Sequence, residues 1–235
     1  MRMTYLPPTQ ELGALFIDEV RTLGCAHPDV YDDGERLIAR AICTHPVEVR
    51  PGDVVRGGVA LHAVGDLVDV HPFIFRQVCT NGAIMAEALQ SKRVARVEVP
   101  APSEAITAAL DDVRAAIRAC AAPTAFADAT AAMQRAIRHP ASVLINVLPW
   151  LGGMPRSNIA AFVGSVMERF VRQGDESAFG LINAVTSIAR DTKDPERKWR
   201  IEEFGGTMLA LISPASKSGP SGVTIEQDEF IDICA

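Results

Sequence analysis

RLIARAICTHPVEVRPGDVVRGGVALHAVGDLVDV, residues 36–70, decides the fold class. Three runs rich in Val, Ile, Leu and Ala are separated by turn signals. The first predicted strand covers about 36–49, with Pro46 marking a break or an edge position in it. Pro51-Gly52-Asp53 is a turn, 54–64 is the second strand, Gly65-Asp66 turns again, and Leu67–Val70 is the third. Gly57-Gly58 inside the second strand predicts a bulge or a close backbone approach. Strands joined by such short turns pair antiparallel. The expected fold class is α+β, an antiparallel meander packed on a largely helical C-terminal half.

Outward from the meander, residues 9–23 predict a helix. Thr9 is its candidate cap, Leu12, Leu15, Phe16, Glu19, Val20 and Leu23 recur at helical spacing, and Gly24 ends it. His27-Pro28 and Asp32-Asp33-Gly34 read as loop. After the meander, 72–90 allows two readings. Asn81-Gly82 signals a turn, but Pro72 suits a first helical turn and Ile74, Val78, Asn81, Met85 and Leu89 share one stripe. The stripe favours a helix that tolerates Asn81-Gly82 or is broken there. Residues 93–99 alternate like a further strand of the sheet.

Pro100 and Pro102 mark a change to Ala-rich helical texture. Helices are expected at about 103–121, 124–138, 141–148, 157–173, 176–191 and 195–212, with Ser157 and Asp194 as caps and Pro195 in a first turn. The Ser-, Gly- and Pro-rich run 213–222 reads as a linker. The acidic tail that follows could add an edge strand to its own sheet or a neighbour's. The organisation expected is a single α+β domain over 1–212, then linker and tail.

A 235-residue chain that is 48% hydrophobic and 22% charged is not globally disordered. Its net charge of −6 excludes a generally polybasic protein. The charge is unevenly placed, with eight basic and five acidic side chains over 36–97, which leaves −9 for the remainder. A basic β-surface on an acidic body fits phosphate binding. Arginines outnumber lysines 19 to 4, which suits bidentate phosphate contacts. The candidate nucleic-acid-binding residues are Arg36, Arg40, Arg56, Arg76, Arg93 and Arg96, with Phe73 and Phe75 as the local base-stacking candidates. No apolar run approaches the roughly 18 residues of a membrane span, and acidic residues interrupt the only signal-like stretch. A soluble, cytoplasmic protein is expected.

The five cysteines, Cys25, Cys43, Cys79, Cys120 and Cys234, are odd in number and irregularly spaced, so no disulfide framework is expected. Cys25-Ala-His27 and Cys43-Thr-His45 offer four zinc donors, but Cys-x-His is tighter than the usual spacers, and no metal or cofactor is expected. No phosphate-binding Gly-x-x-x-x-Gly-Lys loop, His-Glu-x-x-His, Cys-x-x-Cys or serine-hydrolase elbow is present. Cys79 with His71 as base is the one nucleophile pair the spacing offers. A helix would put them two turns apart, so Cys79 reads as a buried, unreactive core residue. Asn183, Thr186 and Arg190 make one helical face polar, and Glu202 and Glu203 are available to pair with Arg190. Gly205-Gly206 allows close packing or marks a kink.

These stretches together resemble the phage/plasmid-like family known as domain of unknown function 932. The resemblance runs over about 35–210. It rests on Gly52-Asp53, the hairpin from Val59 to Val70, Pro72-Phe73, and Arg76-x-Val78-Cys79-Thr80-Asn81-Gly82. Asn183-Ala184-x-Thr186, Glu202 or Glu203, and Gly205-Gly206 complete it. Where the family often has Asn-Ser, this chain has Leu61-His62. The resemblance implies a gene of a phage, plasmid or integrated element, with no established reaction. Strands followed by helix also resemble, in topology alone, the core of single-strand-annealing recombinases. The expected function is non-enzymatic nucleic-acid binding in recombination or replication, with homo-oligomerisation. The alternatives are a self-assembling interaction protein, and an enzyme using Cys79 or the Asn183, Thr186, Arg190 face.

Overall fold

The computed structural model describes residues 4–5, 7–43, 46–65, 67–76, 81–85, 92–95, 97–98, 102–148 and 156–212. The elements run β1 (Thr4–Tyr5), α1 (Thr9–Thr22), β2 (Ala26–Asp32), β3 (Arg36–Ile42), β4 (Val47–Arg50), β5 (Asp53–Val64), β6 (Leu67–Arg76), β7 (Asn81–Ile84), β8 (Lys92–Ala95) and β9 (Val97–Glu98). The helices α2 (Pro102–Cys120), α3 (Pro123–Arg138), α4 (Ser142–Ile145), α5 (Arg156–Gln173), α6 (Ala178–Asp191) and α7 (Pro195–Leu211) follow. The class is α+β, as the meander predicts. The main sheet has the order β2-β3-β5-β6-β7, and every pairing is antiparallel.

The two long strands at the centre are each shared between short partners. β5 pairs β4 near its start and β3 from Gly58 to Val64. β6 pairs β8 from Leu67 to Val70 and β7 from Phe73 to Arg76. Strand alternation sends Leu37, Ala39, Val59, Leu61, Val68 and Val70 into one core with Leu12 and Phe16 of α1 and Val113 and Ile117 of α2. Glu19 of α1 is buried at this joint and accepts from Arg118 at 2.5 Å, with Arg114 3.2 Å away. On the opposite face Ile38, Ala60, Phe73 and Ile84 pack against Trp199 of α7. A third cluster joins Val55 and Ile74 to Phe126 of α3, Phe179 of α6 and Met208 of α7. The sheet is therefore held between two helical layers.

Four expectations are corrected. The described residues of the expected 72–90 helix are strand instead: β6 continues through Pro72 to Arg76, and β7 pairs back antiparallel, while 77–80 and 86–90 lie outside the described residues. Pro72 is tolerated because of where its missing donor points. In an antiparallel strand the N and C=O of one residue face the same side, and the Pro72 carbonyl accepts from Met85, beyond the last residue of β7. The one bond the proline forgoes is therefore a donation towards Met85, just beyond the last β6–β7 pair, and the pairing with β5 on the other side is untouched. The segment misleads because it is buried on both faces, so it carries no alternation.

Residues 26–32 are likewise strand β2 rather than loop, and Asp32-Asp33-Gly34 makes only the hairpin turn. The Asp33 carboxylate accepts from the amides of Glu35 and Arg36 there, and Gly34 takes φ +88°. The pairing of Ala26 with Ile42 brings Cys25 beside Cys43, and the two form a disulfide. The expectation of unpaired cysteines fails because it counts spacing along the chain, and pairing across strands decides it. Residues 93–99 divide, β8 joining the main sheet and β9 pairing with β1.

Gly57-Gly58 is a close approach and not a bulge, since the β5 ladder to β3 and β6 is unbroken. A Cβ on Gly57 would lie 2.5 Å from the Phe126 ring, and one on Gly58 1.9 Å from the Ala41 carbonyl oxygen. Asp194 caps α7 as expected, accepting from the Arg197 amide at 2.7 Å. Ser177, which sequence reading passes over, does the same for α6. No helix among the described residues is long and apolar enough to cross a membrane.

Candidate nucleic-acid interface

The arginines of the sheet divide by their partners. Arg40 on β3 is buried, and its Nε–H donates to Glu202 Oε2 at 2.8 Å. Its Nη2 stands 2.7 Å from the same oxygen, close enough for the ion pair though off the hydrogen-bonding angle. Arg76 on β6 is buried too and grips both oxygens of Asp53, at 2.6 Å each. Arg50 joins Asp53 to Asp175 of the loop before α6, and both guanidinium groups lie over the Phe179 ring. Arg40 and Arg76 are thus committed to holding helices on the sheet, and neither can face a phosphate without leaving a buried carboxylate behind.

Arg36 and Arg93 are at the surface, each on a carboxylate. Arg36 donates to Asp33 and Arg93 to Asp69, both at 2.7 Å. Arg96 lies outside the described residues, as do Cys79 and Thr80. Arg56 differs from all of these: it is half-buried on β5 and makes no ion pair among the described residues. Register places it directly opposite Phe75 of β6, which is also half-buried. Both lie one step beyond Gly58 and Phe73, on the sheet face that α7 covers. On its other side Phe75 is opposite Gly82. A Cβ on Gly82 would sit 2.3 Å from the Phe73 ring, so Gly82 admits that ring, and Phe73 itself is buried. Of the two expected stacking residues, only Phe75 keeps an accessible surface.

The motif residues of the helical half meet at a packing joint. Asn183 and Thr186 are buried on α6, and the Thr186 hydroxyl donates back to the Ile182 carbonyl at 3.0 Å. A Cβ on Gly205 would fall 2.3 Å from the Thr186 methyl, and one on Gly206 1.8 Å from the Ile84 carbonyl oxygen. Gly205-Gly206 thus packs α7 closely onto α6 and β7. Arg190 is exposed and donates to Asp191, and Glu202, an expected partner of Arg190, is bound to Arg40 instead.

Sequence reading missed the polar group around Trp199. His62 on β5 stacks on the buried indole at 5.0 Å, with His71 of β6 6.0 Å away and Arg40 above it at 5.7 Å. His62 Nε2 is 2.9 Å from Glu196, whose carboxyl is held down at about 2 chiefly by that hydrogen bond. Burial lowers His71 to about 4, and its Nδ1 makes no hydrogen bond. Burial raises the carboxyls of Glu202 and Glu203. The available signal was the cross-strand register, which sets His62 opposite Asp69 and His71 opposite Ala60. No group of three metal-ligating side chains occurs among the described residues.

This cluster makes stability pH-dependent. Folded His71 binds fewer protons than unfolded His71 between pH 6.5 and 4. Stability is therefore full above 6.5 and falls towards pH 4, by at most about 3 kcal/mol. The Glu196 contribution is present above 4.5 and is lost between 4.5 and 2. Glu202 and Glu203 act in the opposite sense and offset part of the first loss. The urea midpoint of His71→Phe should be flatter than wild type from pH 6.5 to 4; equal slopes would contradict this role.

Comparison with protein-family models, with curated proteins and with solved structures finds no match to this chain.

Proposed function

We propose that this chain is a non-enzymatic nucleic-acid-binding protein of a phage or plasmid element, acting in the cytoplasm as a homo-oligomer in recombination or replication. The observation that supports the reading best is the Arg56–Phe75 pair. A guanidinium with no carboxylate partner among the described residues stands across the ladder from a half-buried aromatic ring. A single strand needs that combination, a cation for backbone phosphate and a flat apolar face for a base. Of the six arginines expected from sequence, Arg96 lies outside the described residues, Arg40 and Arg76 are buried in ion pairs, and Arg56 remains with the salt-bridged but exposed Arg36 and Arg93. One face of each of these guanidinium groups is already taken by Asp33 or Asp69. A duplex would need a longer cationic track, so single-stranded substrate is the better fit.

Titration of the wild-type protein with a fluorescent single-stranded oligonucleotide at several salt concentrations tests this. Affinity should fall as salt rises, and Arg56→Ala should flatten the log–log slope by about 0.7. Phe75→Ala should leave the slope alone and weaken binding by about 1–3 kcal/mol. An absence of binding by the wild type at low salt would refute the reading and leave self-assembly in the lead. Gel filtration of the same samples reports whether the oligonucleotide travels with a monomer or a larger species.

A further inference from the structure

We propose that Cys25–Cys43 is a reversible redox site that sets the rigidity of the strand carrying Arg56; its effect on binding rests on the function proposed above. The bridge joins the residue before β2 to the residue after β3, across the outermost pairing of the sheet. Both cysteines are partly buried, not sealed in the core, so a small thiol can reach them. The Cys43 amide donates to the Gly57 carbonyl at 2.8 Å, one residue from Arg56. The bridge therefore ends on the strand of the candidate interface.

Two further features sit at the same clasp. The β2–β3 ladder slips between Ala26 and Asp29, and His27, within that slip, takes φ +54°. A non-glycine residue keeps such a backbone only where its surroundings hold it there. The disulfide two residues away supplies that constraint. Asp29 of β2 then stands 3.8 Å from Arg40 and 3.9 Å from Lys198, which connects the clasped edge to the Trp199 group.

The chemistry is thiol–disulfide exchange with a dithiol reductant. One reductant thiolate attacks a cysteine sulfur, the S–S bond breaks, and the second reductant thiolate resolves the mixed disulfide. Two protein thiols and one oxidised reductant result, for two electrons and two protons transferred. With the bridge open, the Cys25 end is free to leave β3, and the ladder from Ile42 to Gly58 loses its anchor.

The test compares the oxidised chain with the same chain in dithiothreitol, after free thiols are blocked with a light alkylating reagent. A heavy reagent should then label Cys25 and Cys43. Tm should fall by about 6–12 °C, as expected for opening a loop of this size in a chain of this length. Amide exchange over residues 36–43 and 53–58 should quicken about tenfold while α5 and α6 stay unchanged. Cys25→Ser with Cys43→Ser should reproduce the reduced pattern without reductant. Unchanged exchange in both segments after complete heavy labelling overturns the proposal, and so does labelling elsewhere. In the binding arm, the reduced chain should bind a single-stranded oligonucleotide several-fold more weakly. Equal binding with altered exchange overturns the link to the interface alone. If neither form binds, the proposed function fails while exchange and Tm still decide the redox site.

Discussion

Gly206→Ala should destabilise the protein by about 3 kcal/mol or more, since its new methyl meets backbone rather than a movable side chain. The Cβ would stand 1.8 Å from the Ile84 carbonyl oxygen and 2.6 Å from its carbon. Relief requires α7 to move off β7, which also withdraws Trp199 from Phe73 and Ile84. Gly164 on α5 is the control. A Cβ there meets nothing within 4 Å, so Gly164→Ala should stabilise by up to about 1 kcal/mol through helix propensity. Urea denaturation of both variants measures the difference. A Gly206→Ala midpoint equal to wild type would mean that α7 does not pack as described.

Arg40→Ala should cost a similar amount, about 3–5 kcal/mol, for a different reason. It leaves Glu202 buried with its ion pair gone. The loss is then the cost of an uncompensated charge more than the worth of the pair. The double variant Arg40→Met with Glu202→Leu removes both charges and should recover most of the stability. If the double variant is as unstable as Arg40→Ala, packing of the guanidinium on Trp199 outweighs electrostatics. Thermal melts of the two variants side by side decide this.

These two results concern features that sequence reading reached unequally. Gly205-Gly206 announced close packing, and the structure supplies its partners on β7 and α6. The long helices were legible to within a few residues because their apolar stripes and Pro or Asp starts are local. The strands β3, β5 and the start of β6 were legible because turns separate them. Strand β2 was not, since it is exposed along nearly its whole length and offers no apolar alternation. The second half of β6 was hidden for the opposite reason, burial on both faces.

The candidate site was legible in composition but not in pairing. Counting arginines identified a basic segment, yet the carboxylates that neutralise Arg76 and Arg40 lie 23 and 162 residues away. The same limit hid the Cys25–Cys43 bridge and the Trp199 group, whose members come from β3, β5, β6 and α7. Only the register of β5 against β6 singles out Arg56 with Phe75. Both residues were candidates beforehand, among eight that sequence could not rank.

Photo-crosslinking of a bromodeoxyuridine single strand to the oxidised wild-type protein, mapped by mass spectrometry, tests this most directly. Crosslinks should form at Phe75 on β6 and in the Arg56 segment of β5, and high salt should abolish them. Crosslinks confined to the acidic helical half, or none at low salt, would contradict it.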